Sequence, residues 1–147
     1  LRILLAYPAL LERVDIELVK LDLDPLCDED FSAEGRLLWL ALLELMANPA
    51  LEWEDLLPPD LATRIREWAQ TPLPEKTLEE WERNLLRTVL WIRERNMRQR
   101  NEDMRGLLLE AKAMGDSKGA EYAAAMTRLA DALIRIQRAL WPKPLKR

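Results

Sequence analysis

The chain has 147 residues, 49% of them apolar and 33% charged, with four glycines and a net charge of −4, a composition that fits one folded, regular domain and excludes a disordered one. Its apolar runs, such as "RLLWLALLELMA", are broken by charge well short of the roughly 20 residues needed to cross a bilayer, which excludes a membrane span. It has one cysteine, Cys27, and no histidine, which excludes an internal disulfide, fits the cytoplasm, and removes the commonest general base and metal ligand.

No strand pattern and no fixed-period repeat occurs, so the chain reads as all helix. Leu1 to Ala6 looks like the tail of a helix that begins upstream. Neither a leader nor an initiator Met precedes it, so the segment is expected to be cut from a longer protein. Tyr7-Pro8 stops that helix, and Pro8 suits the first turn of the next, "PALLERV". A separate short helix is expected around Ile16 to Leu21. "DLDPLCDEDF" is a connector, because Pro25 and the carboxylates discourage regular structure. It lacks the alternating ligands, Gly and closing Glu of a calcium loop, so a solvated acidic loop is expected. Cys27 within it is read as a small buried hydrophobe.

Ser32 is placed to cap "AEGRLLWLALLELMA", whose Leu38, Ala41, Leu42, Leu45 and Met46 fall on one helical stripe ended by Asn48-Pro49. Pro59 and Asp60 open a helix carrying Leu61, Ile65 and Trp68, closed by "TPLP". Thr77 then begins the clearest element. "TLEE" puts Glu80 three residues after a Thr N-cap, the reciprocal capping box. No proline follows until Pro142, so the spacing predicts one helix of about 37 residues and roughly 55 Å to Met114. Its first half has a core stripe of Trp81, Leu85, Thr88 or Val89, and Ile92. Its middle, "RERNMRQRNEDMRG", reads as polar all round, the mark of a bridge between two packed bodies. Apolar residues return at Leu107, Leu108, Ala111 and Met114. Of the tryptophans, Trp39, Trp68, Trp81 and Trp91 are expected mainly in the core, with Trp53 and Trp141 as surface anchors at helix boundaries.

Gly115 supplies the left-handed residue that ends the long helix, and Asp116 or Ser117 can cap the next. On that last helix Tyr122, Met126, Leu129, Leu133, Ile136 and Leu140 step by 4, 3, 4, 3, 4, a seam of coiled-coil type. Trp141-Pro142 ends it, and Lys143, Lys146 and Arg147 add positive charge near a helix C-terminus. The partner face on the long helix offers about two turns of cover for five turns of seam. The shortfall is expected to grow toward Ile136 and Leu140, opposite the polar middle. Two readings stand for this seam: ordinary packing within the hairpin, or a surface that docks another protein. Side chains left in water would each gain roughly 1.5–3 kcal/mol on full burial.

The arginines of the long helix could meet phosphates or an acidic surface. The plainer reading is a solvated face with pairs such as Glu94 and Arg98. With Trp91 the only interleaved aromatic and an acidic chain overall, direct nucleic-acid binding is not expected. No nucleophile and base pair can be assembled from these residue types, so the segment is read as non-catalytic, with no cofactor and no metal.

Three stretches, "LLAYPALLERV", "LCDEDFSAEGRLLWLALLEL" and "LLLEAKAMGDSKGAEYAAAMTRLADALIRIQRAL", occur in the order and spacing that resemble the C-terminal helicase-binding domain of bacterial DNA primase. The Ala-rich "AEYAAAMTR" departs from the family, where larger or charged residues are usual. The resemblance implies an all-α fold: a helical bundle followed by a long helix and a C-terminal helical hairpin. Residues 1–95 would be the bundle and 96–147 the long-helix extension and hairpin, with the hairpin proper over 105–141. It further implies that the hairpin binds the N-terminal domain of the hexameric replicative helicase, coupling priming to unwinding. The polymerase chemistry would lie in missing parts of the parent primase, a DNA-directed RNA polymerase. The docking candidates are Tyr122, Met126, Leu129, Leu133 and Ile136, with Arg128 and Arg135 as charged guides. Two alternatives are the helicase N-terminal domain itself, which shares the bundle, and a helical nucleic-acid module using the Arg-rich helix.

Overall fold

The structure is a computed structural model that describes residues 1–141. Pro142 and the basic residues Lys143, Lys146 and Arg147 lie outside the described residues. The fold is all-α: a helical bundle, then a long helix that turns into a C-terminal hairpin. Its helices are α1 (Arg2–Ala6), α2 (Leu10–Lys20), α3 (Ala33–Ala47), α4 (Trp53–Leu56), α5 (Pro59–Gln70), α6 (Leu78–Met114) and α7 (Gly119–Leu140). No strand occurs among the described residues. They form two compact units. One comprises Leu1–Val19 and Asp24–Leu86; the other comprises Lys20–Leu23 and the chain from Arg87 onward.

In the first unit, α2 runs unbroken where two short helices were expected. Leu10, Val14 and Leu18 are fully buried at spacings of four, so one continuous stripe holds the helix together and nothing at Asp15 interrupts it. The Asp15 carboxylate instead accepts the Leu26 N–H at 2.8 Å, pinning the following connector. That connector is more ordered than a solvated loop. Leu26 and Asp30 are buried, and Asp28–Asp30 forms a 3₁₀ turn. In that turn the Asp30 carboxylate accepts the Cys27 N–H at 3.0 Å. Cys27 itself is exposed, contrary to the expectation of a buried thiol. Phe31 stacks on Trp39 with ring centroids 5.2 Å apart, and Arg36 pairs with Asp28.

Leu38 and Ala41 of α3 join Leu61, Ala62 and Ile65 of α5 in the bundle core, with Leu57 from the link between α4 and α5. The short α4, unforeseen in "LEWEDLLPP", places Trp53 and Leu56 against this core. It starts on its own reciprocal cap, where the Glu52 N–H donates to Asp55 at 2.9 Å. Met46 is 44% exposed, because the helix has already rotated that position off the buried stripe before Asn48 ends it. Ser32 occupies the N-cap position of α3 but makes no side-chain hydrogen bond to the first turn.

The predicted capping box of α6 is present. The Thr77 N–H donates to Glu80 Oε2 at 2.8 Å, and the Glu80 N–H to Thr77 Oγ1 at 3.2 Å. Those contacts hold the Glu80 carboxyl below its ordinary pKa, the bond from the Thr77 backbone being the largest cause. Trp81 and Leu85 are buried and the Arg13 guanidinium meets Glu82 at 2.7 Å, fixing α2 to the start of α6. Farther along, Val89 is buried and Thr88 exposed, so the stripe passes through Val89.

Candidate functional site

The second unit is built on α6 from Arg87 onward and on α7, joined by a four-residue turn. Gly115 has φ +67°, the left-handed conformation that glycine adopts without steric cost. The Asp116 N–H donates to the Ala111 carbonyl at 2.8 Å and the Gly115 N–H to Lys112 at 3.4 Å. This is the paired bonding of a Schellman end. Asp116 Oδ1 accepts the Lys118 N–H at 3.0 Å, so it braces the turn; the N-cap position of α7 is Lys118, which makes no side-chain cap.

The middle of α6 is not polar all round. Leu90, Glu94, Met97, Asn101, Met104, Leu108 and Ala111 step by 4, 3, 4, 3, 4, 3, and all are buried or half-buried. This is a heptad seam with two polar residues in it, facing the seam of α7. The antiparallel register is marked at three levels. Trp91 and Trp141 have ring centroids 6.1 Å apart. Gln137 Nε2 donates to Glu94 Oε1 at 3.2 Å. At the turn end, a Cβ on Gly119 would sit 3.9 Å from Leu108 Cδ1.

Glu94 is the electrostatic centre of this pairing. Its side chain is 11% exposed and accepts Arg98 Nη2 at 2.8 Å. The Arg98 hydrogen bond, aided by Gln137 and the Arg98 charge against opposing desolvation, holds the Glu94 carboxyl below its ordinary pKa. Asn101 Oδ1, one heptad on, is buried without a hydrogen-bond partner among the described residues. A polar residue at a seam position sets register at a cost in stability.

These contacts reverse one expectation. Cover was expected to fail toward Ile136, yet Ile136 is 0% exposed, the best-buried residue of the unit. At this end of the seam α6 carries the buried Glu94 and the half-buried Met97, and a simple apolar count overlooks the stem of a long polar side chain. Ile136 therefore cannot touch a partner while the hairpin is closed. Arg135 pairs with Asp22 at 3.2 Å and its side chain stays 39% exposed.

Away from Ile136 itself the cover is partial. Tyr122, Met126 and Leu129 toward the turn, and Leu133 beside Ile136, are half-buried. Near the turn Leu107, Leu109 and Met114 are exposed by 43%, 60% and 84%, while Ile134, two residues from Ile136, is exposed by 45%. Leu129 and Arg128 share a shallow groove of about 500 Å³ with Met104, Leu107, Ala125, Arg100 and Asp103. Apolar floor and mixed-charge rim are the elements of a protein-docking surface. Leu109 and Ile134 were not singled out because neither lies on the seam, and Met114, expected among the residues that cover it, is instead 84% exposed.

The first unit has a separate cavity of about 360 Å³, lined by Tyr7, Trp53, Trp68, Pro72 and neighbours. Arg2 closes one side by donating to the carbonyls of Thr71 (2.6 Å) and Pro72 (3.3 Å). No carboxylate lines it. Among the described residues no three His, Cys, Asp or Glu are grouped to hold a metal ion, and no helix is long and apolar enough to cross a membrane.

Comparison with known protein families, with curated proteins and with solved structures returned no match to this chain.

Proposed function

We propose that this chain is a non-catalytic interaction domain that docks its terminal hairpin on the N-terminal domain of a hexameric replicative helicase. This is the role of the primase helicase-binding domain that its sequence resembles. The observation that carries the reading is the uneven cover of the hairpin. Ile136 is sealed at 0% exposure, while Leu107, Leu109 and Met114 near the turn lie open. A hairpin with its seam closed around Ile136 and apolar surface free near the turn suits helix-in-groove recognition.

The groove around Leu129 would take an apolar anchor from the partner, with Tyr122, Met126 and Leu133 beside it. Arg128, at the groove rim, is the charged guide. Such groups steer encounter and register more than they add affinity. Such a role puts the chain in the cytoplasm. Leu129→Asp and Leu133→Asp should each abolish capture by the helicase, since a charge would be forced into the contact. Circular dichroism should remain helical. Undiminished capture by both variants removes the hairpin from the mechanism.

A further inference from the structure

The fold joins two tryptophans that the sequence keeps far apart. Trp91 on α6 and Trp141 at the end of α7 are 51% and 54% exposed, with ring centroids 6.1 Å apart and planes tilted by 43°. The rings are not stacked face to face, so each leaves π surface open to solvent. Large aromatic side chains normally give up that surface to a neighbour.

The charge around them is unlike that of the whole chain. Between Arg87 and Arg98 the only acid is Glu94, and it is buried and neutralised by Arg98. From Ala132 to Trp141 there is no acid, but there are Arg135 and Arg138. Arg87, Arg95 and Arg138 are exposed. Arg87 and Arg95 stand four residues before and after Trp91, so on the same face of α6 an arginine follows about 6 Å of helix rise to either side of the tryptophan. Cation, flat ring, cation is the complement of phosphate, base, phosphate.

We infer that the Trp91–Trp141 pair, bracketed by Arg87, Arg95 and Arg138, is a stacking platform for a short stretch of single-stranded nucleic acid. Successive bases lie on the two indoles, and the arginines neutralise the flanking phosphates. An acidic peptide would satisfy the cations but has no regular series of flat rings for the indoles. Guanidinium groups stay charged at every physiological pH, so the platform needs no titration to act. The inference does not rest on the helicase reading, which uses the opposite end of the hairpin.

The test is fluorescence anisotropy of the full chain with a labelled oligothymidylate of about 16 nucleotides, the upper end of common single-strand site sizes. An abasic strand of equal length and charge serves as comparison. The abasic strand should bind about 5- to 150-fold more weakly, the loss expected for one to three kcal/mol of stacking. Trp91→Ala and Trp141→Ala should each lose binding in that range with an unchanged salt slope, and Trp91→Phe should keep most of it. Arg95→Gln should reduce the log–log salt slope by about 0.7, one phosphate contact on a single strand. Equal affinity for the abasic strand overturns the proposal and needs no variant to fold. So does preferential binding of polyglutamate, or no binding of the oligothymidylate at low salt.

Discussion

Truncating Ile136 to Ala separates the part of the hairpin that holds it together from the part left open. Ile136 is fully buried at the Glu94 end of the seam. Removing its branched side chain deletes transfer free energy and leaves a cavity, a change that typically costs about 2–5 kcal/mol. Leu129, on the same seam, keeps no more than about a third of its surface in water. Its truncation should cost less, about 1–2 kcal/mol, the transfer term of a partly covered side chain. The two substitutions are near-equal in chemistry, so the difference reads cover alone. Hydrogen exchange on the α7 amides measures it, because opening of that helix reports on the hairpin and not on the bundle. Ile136→Ala should raise exchange along α7 by several tens-fold more than Leu129→Ala. Equal costs would mean the seam is uniformly covered, and the surface proposed for docking would not be there.

Glycines predict opposite signs. Gly115→Ala forces a side chain to φ +67° and should destabilise by about 1–2 kcal/mol. Gly106→Ala, mid-helix with nothing within 4 Å of the new Cβ, should stabilise by about 0.5–1 kcal/mol. Urea unfolding distinguishes the two. Asn101→Leu removes a buried oxygen that has no partner and should stabilise the hairpin by about 1 kcal/mol. The side effect expected is looser register, visible as broadened NMR resonances along the seam. Because the Glu94 pKa is depressed in the folded state, its stabilising effect is present above the unfolded pKa and is lost as pH falls through the folded one. An acid titration followed by exchange on α7 should show this component, and Glu94→Gln should lack it. Thr77→Ala removes the first-turn cap of α6 and should cost about 1 kcal/mol in a thermal melt.

Local signals in the sequence read well. The Thr77–Glu80 box, the Gly115 turn and the proline boundaries are set by residues within one turn of each other, so α3, α5, α6 and α7 could be placed in advance, whereas α4 was missed and α2 was split. The larger failures were features decided across the fold. The α6 seam was hidden because Glu94 and Asn101 occupy positions that an apolar pattern leaves blank. Once their burial is known, the 4-3 spacing from Leu90 to Ala111 is plain. Trp91 reads as core because it follows Leu90 in an apolar run, and only the register of α7 reveals it as one half of an exposed pair. Ile136 looked uncovered for the same reason. Two helices were expected where α2 is one, because the Leu10, Val14, Leu18 spacing that carries a single buried stripe was not read across the segment. Of the docking candidates, Arg128 is exposed, Tyr122, Met126, Leu129 and Leu133 are partly accessible, and Arg135 stays 39% exposed beside Asp22, whereas Ile136 is sealed.

The central claim is that apolar surface left open near the hairpin turn is a docking site for the helicase. Analytical size-exclusion chromatography of the chain mixed with the N-terminal domain of the cognate hexameric helicase, run beside the Leu129→Asp variant, tests it most directly. The account predicts co-elution of the unaltered chain and separate elution of the variant at unchanged helicity. Separate elution of the unaltered chain, or co-elution of both, would contradict it.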